Sequence, residues 1–115
     1  MTTTFDIGRQ AEAVAADYLR RQGFRIVERN WRTRWCEIDI IAAKDKSVYF
    51  VEVKYRQSAR QGSGLEYITA KKLKQMRFAA EAWVRQHEWR GEYQLAAVEV
   101  SGDDFAVTNF IDLIF

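Results

Sequence analysis

Three residues sit out of place in two adjacent strand-like segments: Asp39, Glu52 and Lys54. Asp39 is flanked by Ile38, Ile40 and Ile41; Glu52 and Lys54 interrupt a run of Val48, Phe50, Val51 and Val53. A carboxylate inside an apolar sheet is costly unless a cation or another charged partner joins it. Side chains alternate along a strand, so Glu37, Asp39 and Ile41 share one face of the first segment. Val48, Phe50, Glu52, Lys54 and Arg56 share one face of the second. If the segments pair as a hairpin, one register makes Asp39 and Glu52 neighbours. Carboxylates held that close repel, and a divalent cation relieves the repulsion. Oxygen ligands favour Mg²⁺ or Mn²⁺ over zinc. Lys54, two residues beyond Glu52, reaches the same centre. There an ammonium can hold or help deprotonate an attacking water, or stabilise charge developing on a phosphate. The plainer alternative is a solvated Glu52–Lys54 pair on a half-exposed strand, which contributes little.

Several elements must position these residues. Ile7, Ala11, Val14, Ala15, Tyr18 and Leu19 form one apolar stripe, which predicts a helix over 5–22. Thr4 or Asp6 is expected to cap it, and Gly23 suits the position just past its end. Glu12 lies at the edge of that stripe; it reads as an ordinary boundary glutamate or as a third metal ligand. Strands are expected over 24–30, 35–43 and 47–56, the last two joined by a short polar turn and therefore antiparallel. A glycine-containing loop at 57–64 precedes a helix over 65–87, and strands follow at 93–100 and 105–111 around the turn Ser101-Gly102-Asp103-Asp104. The order α-β-β-β-α-β-β is that of an α/β fold with a central mixed sheet flanked by helices.

Composition bounds the function classes. At 115 residues we expect a single domain spanning 1–115. A hydrophobic fraction of 48% and an aromatic fraction of 14% exclude a disordered chain. No apolar run approaches the ~20 residues of a membrane helix, and the N-terminal segment does not read as a signal peptide. One cysteine, Cys36, and one histidine, His87, argue against a disulfide framework, a cysteine-based zinc cluster and a Ser-His-Asp triad. These features point to a cytoplasmic protein that does not enter membranes. Residues 1–87 carry 17 Lys/Arg against 10 Asp/Glu, whereas residues 88–115 carry one basic and six acidic residues, so +7 and −5 give the net +2. That asymmetry suits a basic face for a polyanion or reflects chance clustering.

Arg29, Arg32, Arg34, Arg56, Arg60, Lys71, Lys72, Lys74 and Arg77 flank the proposed centre, with Trp31 and Trp35 interleaved. Cations for phosphates and aromatics for bases make a plausible nucleic-acid surface, with Arg32, Arg34, Arg56, Lys71 and Lys72 as its foremost candidates. The alternative places the tryptophans in the core. Cys36 reads as a small buried residue, and His87 as a partner of the second helix's dipole. The 57–64 loop lacks the pattern of a nucleotide-binding P-loop.

The blocks Gly8-Arg9-x-x-Glu12, Asn30-Trp31-Arg32, Glu37-Ile38-Asp39-Ile40-Ile41-Ala42 and Phe50-Val51-Glu52-Val53-Lys54-Tyr55-Arg56 resemble the YraN-type family of small bacterial endonuclease-like proteins. The resemblance runs through Lys72 and covers most of the chain. Departures are Ala11 and Cys36, where glycine is usual, and Gln94-Leu95-Ala96 in place of an Arg-Phe-Asp run. It implies the restriction-endonuclease-like fold of the PD-(D/E)xK superfamily, close to Holliday-junction resolvases. Asp39 then matches the metal-binding aspartate, Glu52 and Lys54 the ExK pair, and Glu12 the helical acid near the metal, direct or through water. The Val53 carbonyl matches a backbone ligand and Lys72 a helix lysine facing nucleic acid. The implied function is Mg²⁺- or Mn²⁺-dependent hydrolysis of phosphodiester bonds in DNA, structured or branched, with a homodimer a further expectation. The rivals are a catalytically silent nucleic-acid-binding module and a protein-interaction scaffold using the acidic C-terminal segment.

Overall fold

The structure is a computed structural model that describes residues 3–58 and 68–113. Helix α1 spans Thr4–Arg21. Its cap is Thr3, one residue ahead of the expected candidates. The Thr3 hydroxyl accepts from the Asp6 N–H at 3.1 Å, and the Asp6 carboxylate accepts from the Thr3 N–H at 3.1 Å. This capping box satisfies two helix-end donors reciprocally, so Asp6 serves as its third-position partner and not as the cap itself. Gly23 follows at φ 94°, the left-handed conformation that ends helices.

Strands β1 (Arg25–Arg32), β2 (Glu37–Lys44) and β3 (Ser47–Arg56) follow in sequence. Helix α2 (Ala70–Gln86) leads to β4 (Glu92–Ser101) and β5 (Ala106–Leu113). The expected order α-β-β-β-α-β-β is observed. The second helix begins later than expected because the Thr69 hydroxyl caps it, accepting from the Lys72 N–H at 3.0 Å. Residues 59–64 of the expected loop and 65–67 of the expected helix lie outside the described residues.

The sheet runs β1-β2-β3-β4-β5. Pairs β1/β2, β2/β3 and β4/β5 are antiparallel; β3 and β4 are parallel. Parallel neighbours need a crossover, and α2 supplies it. The β2–β3 turn is Asp45-Lys46, with Asp45 at φ 56°.

Each helix covers one face. Ala11, Ala15, Ala16 and Leu19 of α1 pack on Ile40, Ala42, Val51, Ala96 and Val98. Met76, Ala79, Ala80 and Trp83 of α2 pack on Ile38, Ile41, Val48, Phe50 and Leu95. Phe50 is fully buried and meets Trp83 edge to face at 5.7 Å. Burying such a ring is worth roughly 1.5–3 kcal/mol. The central strands β3 and β4 are therefore apolar on both faces, which fixes their register and anchors whatever their ends carry.

Candidate functional site

The site forms where regular pairing between β2 and β3 stops. The ladder ends at Ile40↔Val51. Continued for one more pair it would place Asp39 opposite Glu52, the expected register. Instead the Asp39 carboxylate enters the ladder itself and accepts the Val53 N–H at 2.8 Å. An extended residue turns its N–H and C=O toward the same neighbour, so the Val53 carbonyl faces the same gap. Ile38 belongs to the α2-side core and Ile40 to the α1-side core, although they are two residues apart. The alternation therefore slips at Asp39, and the expected sharing of one face by Glu37, Asp39 and Ile41 does not hold.

Opposite this point on β1, Asn30 adopts φ 53°, in the left-handed region that asparagine tolerates. Its side chain reaches α1. The Asn30 amide donates to Glu12 Oε1 at 2.8 Å and its oxygen accepts from Arg9 at 2.7 Å. Asn30 thus fixes where Glu12 points. One oxygen from each of Glu12, Glu37 and Asp39 lies within 4.8 Å of the other two. Glu37 is in turn held by Arg32, Nε to Oε2 at 3.2 Å. A cleft of about 250 Å³ opens here, lined by Gly8, Arg9, Glu12, Asn30, Arg32 and Glu37 among others.

Glu52 approaches Asp39 from the α2 side of β3. The Lys72 ammonium stands 3.3 Å from Glu52 Oε2. Burial, first, and then the nearby Glu52 charge push the Asp39 carboxyl up to about 8. A hydrogen bond between the Asp39 and Glu52 carboxyl groups and the charge of Glu12 act in the same direction, while the Val53 N–H opposes them. Several anions thus converge on one buried carboxyl. Burial also raises the Cys36 thiol, which feels Lys72, Glu52 and Asp39; it borders the centre and is only half-buried.

The structure thus brings Glu12, Asp39, Glu52 and the Val53 peptide together. Lys54 is exposed on the Glu52 face of β3, beside Glu99 in the parallel register. Lys72 turns inward to Glu52, an anion of the chain itself, and not outward as a nucleic-acid contact would. Arg56 also departs from the expected nucleic-acid role. Its side chain is nearly buried, with Nε 2.9 Å from Glu99 Oε2, a Coulombic contact without hydrogen-bond alignment. Arg32, Arg34 and Lys71 are exposed, as a phosphate contact requires. His87 caps α2 and stacks on Trp83 at 4.1 Å, far in kind from catalysis.

Sequence reasoning gave no site role to Asn30, Arg9 or Glu37. Asn30 carried a signal: an asparagine closing a strand-like segment fits a left-handed conformation better than a ladder position.

The sequence profile of the uncharacterised protein family UPF0102 matches residues 11–108. A UPF0102 protein of Renibacterium salmoninarum is 44% identical over 87 residues, which are 76% of this chain and 74% of that one. One from Vibrio parahaemolyticus is 36% identical over 102 residues, 85% and 84% of the two chains. One from Cytophaga hutchinsonii is 36% identical over 100 residues, 87% and 88% of the two chains. The matched span carries every acidic residue of the centre, and this chain belongs to the UPF0102, or YraN-type, family.

Proposed function

We propose that this chain is a metal-dependent nuclease of the PD-(D/E)xK superfamily that hydrolyses phosphodiester bonds in DNA. The observation that carries the reading is the convergence of acids where the β2/β3 ladder ends: the Asp39 carboxylate accepts the Val53 N–H at 2.8 Å, and one oxygen from each of Glu12, Glu37 and Asp39 lies within 4.8 Å of the other two. The five-stranded mixed sheet with a helix on each face is consistent with the restriction-endonuclease-like fold.

The donor set suits a hard divalent ion. Glu12, Glu37, Asp39 and Glu52 offer only oxygens, and the Val53 carbonyl adds a neutral one. Asp39, Glu52 and the Val53 carbonyl would hold Mg²⁺ or Mn²⁺, with Glu12 contributing directly or through water. Such an ion supplies Lewis acidity at a phosphoryl oxygen and lowers the pKa of water. The remaining work belongs to the chain. Asn30 orients Glu12, Lys72 orients Glu52, and Lys54 holds the attacking water and stabilises charge gathering on the phosphate.

One observation favours the rival, a silent binding module of the same fold: the Lys72 ammonium already stands beside Glu52, where an external cation would go. Single-turnover cleavage of branched, flapped and linear DNA with Mg²⁺ and Mn²⁺ decides between them. Lys54→Ala is expected to keep DNA affinity and lose about 10²–10³ in rate, the usual cost of a preorganised charged group. A wild-type protein that binds DNA but cuts nothing leaves the silent module standing.

A further inference from the structure

We infer that the cleft between the β1–β2 turn and the C-terminal half of α2 is a pocket for one unpaired nucleotide of the substrate. This rests on the nucleic-acid reading above and adds the structural class of DNA recognised. The cleft measures about 460 Å³, and its walls are Trp31, Arg32, Arg34, Trp35, Ala82 and Arg85 together with Thr33 and Gln86. That volume falls in the range of sites for small organic groups. No acidic side chain lines it among the described residues.

Its chemistry is planar surface plus fixed positive charge. The Arg34 guanidinium lies over the Trp35 ring, 4.8 Å from the centroid, and Trp35 leans on Phe78 at 6.1 Å. Bases stack on aromatic rings and on guanidinium planes, and guanidiniums take the attached phosphate in forked hydrogen bonds. A base inside a duplex hides both faces in its own stack, so only an extruded or single-stranded base can use such walls.

The turn that carries these residues is rigid. The Thr33 hydroxyl accepts from the Trp35 and Cys36 N–H groups, each at 3.1 Å, and donates to the Cys36 carbonyl at 2.8 Å. Trp35 and Arg34 are thereby preset before any ligand arrives, which lowers the entropic cost of binding.

The position relative to the acidic centre follows from Arg32. It lines this cleft and also the cleft of Glu12 and Glu37, and it holds Glu37 at 3.2 Å. A nucleotide in the pocket therefore places a neighbouring phosphate toward the carboxylates. The substrate class is DNA with an unpaired nucleotide beside the bond to be cut: a flap, a bulge or a branch point.

The test compares three duplexes by fluorescence anisotropy with Ca²⁺ as the divalent ion. One carries a single unpaired adenosine, one an abasic residue at that position, and one is fully paired. The base-bearing bulge is expected to bind about 5- to 100-fold tighter than the abasic one, the worth of one stacked base. Arg34→Glu and Arg85→Glu, both at exposed positions, are expected to abolish that preference; Trp35→Ala is expected to do so too but also touches Phe78. Equal affinity for abasic and base-bearing bulges overturns the pocket, as does a preference that survives both charge reversals. Cleavage with Mn²⁺ on the same duplexes separates the two readings. Cutting without base preference removes the pocket and keeps the nuclease. Base-dependent binding without cutting keeps the pocket and removes the nuclease.

Discussion

Two of the acidic residues in this sheet, Glu99 and Asp39, are treated in opposite ways. Glu99 on β4 is buried beside a cation and accepts two side-chain hydrogen bonds. Arg56 meets one oxygen at 2.9 Å, and Thr108 and Asn109 donate to the other at 3.2 and 3.1 Å. Asp39 on β2 receives one N–H, from Val53, and otherwise faces Glu52 and Glu12. The first acid has its counter-cation inside the chain. The second is crowded by anions, which with burial raise its carboxyl to about 8. The protein pairs Glu99 directly with a cation, whereas at Asp39 it gathers carboxylates and sets its cations one step out, Lys72 on Glu52 and Arg32 on Glu37.

The largest effect that would break this comparison concerns the partnered acid. Arg56→Met leaves Glu99 buried without its cation and is expected to cost about 3–5 kcal/mol, read from urea unfolding. Asp39→Asn is expected to cost nothing at pH 8, and to stabilise the metal-free protein, because a repelling group is removed. Equal losses from the two variants would erase the distinction.

Next is the response to a divalent ion. Mn²⁺ at 100 times its dissociation constant should raise wild-type stability by about 2.7 kcal/mol, since only the folded chain assembles the donors. Thermal melts of Asp39→Asn should show no such rise. A rise of the same size in that variant would move the ion elsewhere.

The pH profile sharpens the same point. Asp39 is raised in the fold to about 8 from an ordinary 3.8. Between these values the unfolded chain has lost the proton that the fold retains. The stabilisation is therefore complete below pH ~4 and is lost as pH rises through about 8, at up to about 1.4 kcal/mol per unit. Unfolding free energies of the metal-free protein from urea titrations at pH 5 to 9 should fall with that slope, and Asp39→Asn should flatten it.

The smallest effect lies at the rim. Arg32 and Glu37 form an exposed pair, and Arg32→Ala should cost less than about 1 kcal/mol. If it cost as much as Arg56→Met, the acidic rim would be structural cement like Glu99 and not a site held open.

The elements were legible because local rules govern them. The α1 stripe, the Asp45-Lys46 hairpin and the apolar centres of β3 and β4 follow from periodicity and turn chemistry. Asp39 and Glu52 stood out for the same reason, as charges in apolar strands. The first cap was misplaced by one residue, because Thr3 sits before the apolar pattern starts; the second helix was begun too early, because the apolar pattern runs on ahead of its cap, Thr69.

Arg56 and Lys72 mark what the sequence withheld. In one dimension both are cations in a basic stretch, and a phosphate is the natural partner. In three dimensions each finds a carboxylate: Arg56 meets Glu99 across the parallel β3/β4 register, and Lys72 descends from α2 onto Glu52. These partners are 43 and 20 residues away along the chain, beyond any spacing rule.

By itself the sequence determined the element order and marked Asp39 and Glu52 as charges within apolar strands, because periodicity and misplaced charge are properties of neighbours in the chain. The tertiary structure alone decided that β2 and β3 part at Ile40 and Val51, that Asn30 turns left-handed to hold Glu12, and that Glu37 joins Asp39 while Arg56 leaves the surface. Each of these depends on where distant segments meet, and such meetings are set by packing two helices on opposite faces of one sheet, not by any local pattern.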